Sequence, residues 1–586
     1  MLLLENYFEA TMGNLLYFGD NLKIMREFIK DESVDLIYLD PPFNSNASYN
    51  VLFKSPIEPA SAQVKAFEDT WHWEIEAQTA FEELESRSMD TFRLLLSLKS
   101  FLGTSDVMAY LAMMAIRLVE MHRILKPNGS IYLHCDPTAS HYLKILMDGI
   151  FGATMFRNEL IWKRNSAHSD GKQGAKHYGR ISDCILFYSK GSKVIWNQQY
   201  APYDAKYIER DYRRIDENGR RYRLSDIQGP GRAEKGNPFY EVMGVFRHWR
   251  YTKENMQRLI EQGRIVQTRP GAVPQYKRYL DEMPGVPIQN LWDDIPVINN
   301  RSKEMLGYPT QKPMALLERI ILTSSNPGDI VLDPFCGCGT AVHAAEKLDR
   351  KWIGIDITYV ALKVIRDRLA SNFPSVRYAM RGIPRDVEAA RRLAEQTPHE
   401  FQNWAISELG GNSRGKGADR GIDGDIVFMT GRDEYRRAII SVKGGKYVAP
   451  AAIRELIGTV KRERAEFGIF ICFGPLTREM RREAAEAGQV ELPGGDRPRI
   501  RIVTVEELLA GANLGLTVVL DSVSSASEAK RVQAKRQRKT KSADPKQKSM
   551  MLPLKGGRSH DAPHGKSLEL PLEEAATGRK RAGRRS

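Results

Sequence analysis

Short apolar runs, each ending in a polar or glycine-rich stretch, punctuate this chain. Val34-Asp35-Leu36-Ile37-Tyr38-Leu39 is nearly all apolar, the pattern of a parallel strand buried on both faces. Leu15 to Phe18 predicts another strand, turning at Gly19-Asp20-Asn21 into helical spacing over 22–29. Residues 108–124 read as a helix, followed by a turn at Lys126-Pro127-Asn128-Gly129, a strand over 130–134 and a helix over 140–151. The pattern returns later. A helix is predicted over 314–324, a turn over 326–329, a strand over 330–332 ending at Asp333, a helix over 341–348 and a strand over 352–355 ending at Asp356. Strands alternating with helices imply an α/β fold around a largely parallel sheet.

A second, smaller α/β pattern follows: a helix over 401–409, strands over 426–428 and 437–443, a helix over 451–465 and a strand over 468–472. With 586 residues there is room for two or three domains. Net charge is +14, but the stretch 521–586 holds 17 Lys/Arg against 7 Asp/Glu and has little to bury. It is expected to be a disordered basic tail, serving either phosphate affinity or solubility. Because so much charge sits there, nucleic-acid binding must be argued from motifs. No run is apolar enough to span a bilayer, and Met1-Leu2-Leu3-Leu4 is followed at once by Glu5 and lacks a basic n-region, so neither a membrane anchor nor an export signal is expected. Five scattered cysteines suit a reducing cytoplasm. Cys336 and Cys338 lack a second pair and read as small residues in a tight loop rather than zinc ligands.

Two strand ends carry chemistry. Asp40-Pro41-Pro42-Phe43 follows the first buried strand, at the end where open α/β sheets bind ligands. An exocyclic amine conjugated to a base ring is a poor nucleophile. Asp40 and the Pro41 carbonyl can both accept its hydrogens, Pro41 and Pro42 stiffen the backbone that aims them, and Phe43 offers a stacking face for a base withdrawn from its duplex. The bland alternative is a strand followed by a Pro-Pro turn. Beyond the second strand lies Asp333-Pro334-Phe335-Cys336-Gly337-Cys338-Gly339-Thr340, and Asp356 ends the next strand, placed for ribose hydroxyls. Gly337 and Gly339 are expected to let a ligand approach without a Cβ clash. The loop lacks Gly-x-Gly-x-x-Gly spacing, and Asp333 would repel a pyrophosphate, which argues against a dinucleotide. His134 and Asp136 end another strand, either lining the cleft or capping the next helix.

These parts, in this order, resemble the β-class DNA amino-methyltransferases: the Asp-Pro-Pro-Phe motif, an intervening region, Thr310-Gln311-Lys312-Pro313, then the Asp333 to Thr340 loop, over roughly 13–372. The resemblance implies a circularly permuted, Rossmann-like S-adenosylmethionine-dependent methyltransferase domain with a mixed sheet. Asp40, Pro41, Pro42 and Phe43 would be catalytic. Asp20, Thr310, Gln311, Lys312, Pro313, Asp333, Pro334, Phe335, Gly337, Gly339, Thr340 and Asp356 would form the cofactor site. The family methylates adenine N6 or cytosine N4, and Asp rather than Ser at the first motif position favours adenine. Double-stranded DNA with one flipped base is the implied partner, with a second copy of the chain or a restriction subunit as protein partners.

The catalytic half is expected over 13–156, a target-recognition insert over 157–300, the cofactor half over 301–372 and a linker over 373–397. The insert carries Trp162, Trp196, Trp249 and Trp292 and clusters such as Arg220-Arg221-Tyr222-Arg223, which fit phosphate contact and base reading. An ordinary insertion with a solvated charged face is the alternative. A further domain is expected over 398–512, of which roughly 398–490 resembles the Mrr-like branch of the restriction-endonuclease fold, matching its metal-binding Asp at Asp423 and its Lys at Lys443. Where that family has Glu or Gln, this chain has Ser441, a poor ligand for Mg²⁺. Either a carboxylate such as Asp425 compensates, or the module binds DNA without cutting it.

Overall fold

A computed structural model of the chain describes residues 13–42, 47–53, 62–69, 72–137, 139–165, 176, 178–229, 236–299, 302, 304–306, 308, 310–414, 421–431, 434–492 and 495–518. Phe43 and the stretch 521–586 lie outside them. Among the described residues, a nine-stranded sheet is built from β1 (Leu15–Phe18), β2 (Val34–Leu39), β3 (Leu125–Cys135), β4 (Phe156–Lys163), β5 (Ser182–Ser189), β6 (Leu291–Trp292), β7 (Ile330–Asp333), β8 (Lys351–Asp356) and β9 (Ala379–Arg381). Its order is β6-β4-β5-β3-β2-β7-β8-β1-β9. The strands from β3 to β9 along that order are parallel, and β5 runs against both β3 and β4.

One pairing brings two distant motifs together. β2 lies beside β7, with Leu36 opposite Val331 and Ile37 opposite Leu332. Two strands almost three hundred residues apart in sequence thus end side by side, one at Asp40 and the other in the Asp333 loop. Leu36 and Tyr38 of β2 face a layer that includes α4 (Met314–Ser324) and α5 (Thr340–Lys347), while Ile37 and Leu39 face α2 (Asp106–Ile124) and α3 (Ser140–Phe151). That double cover explains the unbroken apolar run. The buried exception, Asp35, has its counter-charge in Lys126, whose Nζ lies 2.8 Å from both carboxylate oxygens.

The residues 126–129, expected to be a turn before a strand, are part of β3. Pairing passes from Val34 opposite Leu125 to Leu36 opposite Ser130, so two steps of β2 meet five of β3 and the surplus bulges out. The sheet also continues into the stretch expected to be the insert, because β4, β5 and β6 are sheet strands. What stands apart is a four-stranded sheet including Arg221–Asp226 and Gln275–Tyr279, and a hairpin of Phe239–Val242 with Val245–His248.

The second sheet comprises β10 (Asn412–Ser413), β11 (Gly424–Gly431), β12 (Glu434–Lys443), β13 (Phe467–Cys472) and β14 (Ile500–Thr504) in that order, with β15 (Thr517–Val518) on β11. Between the sheets run α6 (Tyr359–Asn372), α7 (Val387–Gln396) and α8 (Pro398–Glu408), and α9 (Ala451–Arg462) covers the far side of β12. Residues 373–397 therefore form sheet and helix rather than an open tether. One apolar cluster runs from Leu16 and Leu36 through Tyr359, Leu362, Ala394, Phe401 and Trp404 to Ile440 and Ile469. No described helix is long and apolar enough to cross a membrane.

Candidate active site

The end of β2 and the loop after β7 line one cavity of about 240 Å³. Asp40, Pro42 and Tyr38 enter from β2, Asp333 to Cys338 from the loop, Thr340 from α5, Asp356 to Thr358 from β8, and Thr310 and Lys312 from the segment before α4. Gly19, Asp20 and Asn21 close it beside α1 (Asn21–Phe28), with Arg117 from α2. The structure thus brings Asp40, Pro42, Asp20, Thr310, Lys312, Asp333, Pro334, Phe335, Gly337, Thr340 and Asp356 to one place; Pro41, Gln311, Pro313 and Gly339 do not line it, and Phe43 lies outside the described residues.

Asp40 is nearly buried. Lys312 Nζ pairs with its Oδ2, while Oδ1 is buried and has no hydrogen-bond partner among the described residues. An unmet acceptor inside a cavity is costly unless something arrives to satisfy it. Asp333 is pushed well above the usual carboxylate range by burial and by the charges of Asp40 and Asp356, against a 3.1 Å hydrogen bond from the Phe335 N–H. Such a site favours a cationic guest.

Asp356 carries much of the loop. Its Oδ2 accepts from the Gly337 N–H at 2.8 Å, and its Oδ1 from the Thr358 N–H at 2.9 Å and hydroxyl at 2.8 Å. Burial still raises it. The glycines turn out to be needed for the protein's own packing. Gly337 and Gly339 have φ of 47° and 71°, and a Cβ on Gly339 would stand 2.6 Å from Ile365 Cγ1. Left-handed backbone and the pressure of α6, rather than ligand approach alone, demand glycine there.

The segment Thr310 to Pro313 divides. Thr310 and Lys312 reach the cavity. Gln311 instead fastens its own loop, accepting from the Leu306 N–H at 2.8 Å and donating to the Glu304 carbonyl at 2.5 Å. Pro313 is the residue from which α4 starts. Asp20 caps α1 by accepting from the Lys23 N–H.

Sequence reasoning missed Arg117. It is buried, donating to Asn21 Oδ1 at 2.7 Å and Asp20 Oδ2 at 2.8 Å, and Asn21 donates to the Pro334 carbonyl at 2.8 Å. It therefore ties α1 to the cofactor loop. The available signal was an arginine in mid-helix among apolar neighbours. His134 does not cap a helix: the Tyr38 hydroxyl and His134 Nδ1 share a 3.1 Å hydrogen bond, and His134 Nε2 meets Asp183 Oδ2 at 3.0 Å. Although burial opposes its charge, the His134 hydrogen bond and the charges of His134, Arg164 and Lys312 hold Asp183 below the usual range. Asp136 accepts from the Ala139 N–H at 3.3 Å in the turn that leads into α3, whose N-cap, Ala139, carries no side-chain cap.

In the insert, much of the basic and aromatic character is internal. Arg220 bonds Asp281 and Glu282 and lies 3.9 Å from the Tyr279 ring centre. Trp162, Trp249 and Trp292 are buried, each donating its indole N–H to a backbone carbonyl. In the second sheet, Asp423 Oδ2 accepts from the Val442 N–H at 2.7 Å, while Asp425 is paired with Arg414 at 3.1 Å and Ser441 is buried. Lys443 is exposed at the end of β12. Arg414 puts a positive charge on the carboxylate expected to compensate for Ser441. Among the described residues no group of three or more His, Cys, Asp or Glu stands where it could hold a metal.

Residues 34–367 match a family model described as DNA methylase, and residues 393–499 one described as restriction endonuclease. The chain is 35% identical over 298 residues to the type II methyltransferase M.EcaI of Enterobacter cloacae, covering 50% of this chain and 65% of that protein. It is 28% identical over 358 residues to the Mod subunit of the type III restriction-modification enzyme StyLTI of Salmonella typhimurium, covering 58% and 50%. It is 26% identical over 357 residues to the DNA adenine methyltransferase YhdJ of Escherichia coli, covering 61% and 83%. The chain thus spans just under two thirds and half of the first two relatives' own length.

Proposed function

The chain belongs to the DNA methylase family, and from that premise we propose that it transfers a methyl group from S-adenosylmethionine to the exocyclic N6 of adenine at a specific DNA site. The observation that carries this reading is the single cavity lined by Asp40, whose buried Oδ1 has no hydrogen-bond partner among the described residues, together with the Asp333 loop and Asp356. The residues fit the cofactor. Asp356 would hold a ribose, the turn through Gly337 and Gly339 would follow the nucleoside, and Asp333 would face a cationic end. S-adenosylmethionine supplies an electrophilic methyl group.

The protein's part is to seat and aim the base. A flipped adenine stacks on Phe43, and its amine donates to Asp40 Oδ1 and the Pro41 carbonyl. These acceptors turn the nitrogen lone pair toward the methyl group. Adenine is preferred over cytosine on the Asp at the head of the motif, and the relative YhdJ is named as an adenine methyltransferase. The insert reads the target, and a second copy or a restriction subunit completes the assembly, in keeping with the Mod-subunit relative. Five unbridged, buried cysteines suit work in the cytoplasm.

Expression in a methylation-free host, followed by single-molecule sequencing that detects modified bases, tests the reading. N6-methyladenine at one recurrent sequence is expected. Unmodified DNA, or N4-methylcytosine instead, would overturn the assignment. A second reading, that the C-terminal module also cuts DNA, has its support in the match over 393–499. Incubating unmethylated plasmid with Mg²⁺ decides it: cleavage by the wild type that Lys443→Ala removes would favour it, and intact plasmid would exclude it.

A further inference from the structure

We infer that Lys312 positions the catalytic carboxylate rather than binding the cofactor: it holds Asp40 by one oxygen, so that the other alone is offered to the substrate amine. This rests on the adenine-methylation reading above.

Three observations carry it. First, Lys312 Nζ is paired with Asp40 Oδ2, and the two side chains are 12% and 14% exposed, so little water competes for either. A charge-assisted hydrogen bond in such a setting is short and directional. Second, Asp40 Oδ1 is buried and has no partner among the described residues. One oxygen is taken and the other is left without a partner among the described residues, on a carboxylate that the ammonium holds by one side. Third, the pocket is crowded with acids. Asp333 feels the charges of both Asp40 and Asp356, and the Lys312 charge opposes that effect at Asp333 and also acts on Asp183. Lys312 thus sets a positive charge against the acids Asp333 and Asp183.

The local chain explains how the side chain reaches there. Gln311 pins the preceding loop to Glu304 and Leu306, and Pro313 starts α4 immediately afterwards. Lys312 is held between two fixed points and projects into the cavity. A carboxylate free to rotate would present either oxygen, or both, to the amine. Fixing it prepays the orientation that methyl transfer needs. A sulfonium cofactor, itself cationic, gains nothing from a second cation beside its methyl group.

Lys312→Met keeps the length of the stem and removes the charge. The full chain is assayed on plasmid DNA from a methylation-free host, with S-adenosylmethionine affinity measured separately by calorimetry. A loss of kcat of tenfold or more, with the cofactor Kd changed by less than tenfold, is expected. A smaller loss of kcat, or a Kd tenfold weaker, overturns the assignment. Should Lys312→Met fail to fold, Lys312→Gln is judged by the same two thresholds. If the wild type itself leaves adenine unmethylated, the functional reading fails; if the wild type is active and the variant equally so, only the role of Lys312 fails.

Discussion

The backbone N–H of Tyr359 donates to Glu400 Oε2 at 2.8 Å, across the boundary between the two sheets. Tyr359 begins α6, three residues after Asp356, and Glu400 lies in the first turn of α8. Tyr359 also donates its hydroxyl to Glu408 Oε1 at 2.6 Å. The helix that leaves the proposed ribose carboxylate is thus held at both ends of one residue by the restriction endonuclease-like module.

Glu400 gives that contact a pH dependence. Burial, with the Asp356 charge adding to it, pushes its carboxyl up to about 7, against hydrogen bonds from Tyr359 and Asn403. A carboxyl raised on folding binds protons more tightly in the folded chain. Stability is therefore highest below the unfolded carboxyl range, falls as pH climbs toward about 7, and stays low above it, a swing on the order of 3 kcal/mol. Thermal melts of Glu400→Gln should show a flatter dependence between pH 5 and 8 than the wild type, with a higher Tm at pH 8. Parallel curves for the two proteins would contradict this.

Asp40→Ala should lower kcat by about a thousandfold or more, the scale of losing a preorganised electrostatic contact, while the S-adenosylmethionine Kd stays within a few-fold of wild type. Turnover on unmethylated plasmid and calorimetric titration measure the two independently. Normal turnover in this variant would refute the role of the motif.

Cofactor binding should release protons. Because Asp333 is held well above the usual range, it carries a proton in the free protein more readily than an ordinary carboxyl does. A cationic guest favours its ionised form, so affinity should rise with pH, and titrations in buffers of different ionisation enthalpy should report protons released. Asp333→Asn should abolish that release. A buffer-independent enthalpy in the wild type would be the contrary result.

Gly339→Ala combines a left-handed φ of 71° with a Cβ 2.6 Å from Ile365 Cγ1. Gly328 has a φ of 87° and nothing within 4 Å of the added atom. Gly328→Ala should cost only the backbone strain, about 1 kcal/mol. Gly339→Ala should cost more, roughly 2–4 kcal/mol, and weaken cofactor binding as well. Denaturant midpoints for the pair make the comparison.

The site was legible where its chemistry is local in sequence. A buried strand followed at once by Asp40-Pro41-Pro42, or by the Asp333 loop, announces itself because parallel sheets bind ligands where their strands end. What needs three-dimensional neighbours was hidden. Arg117 reaches Asp20 and Asn21 across about a hundred residues, and its function is invisible in an apolar helix. The arginines at 220–223 looked like a DNA-facing cluster, yet Arg220 is bound to Asp281 and Glu282 some sixty residues on. The residues 126–129 have every mark of a turn, but the pull of Asp35 on Lys126 keeps them alongside β2 as a bulge.

The apolar cluster that runs unbroken from Leu16 to Ile469 has a consequence for how the chain unfolds. Two modules with separate cores can be lost one at a time; two modules with a common one stand or fall together. A substitution that collapses the half around Leu16 and Leu36 removes the support of α8 and β12 in the same event. Heating the full chain should therefore give one melting transition shared by both halves rather than two.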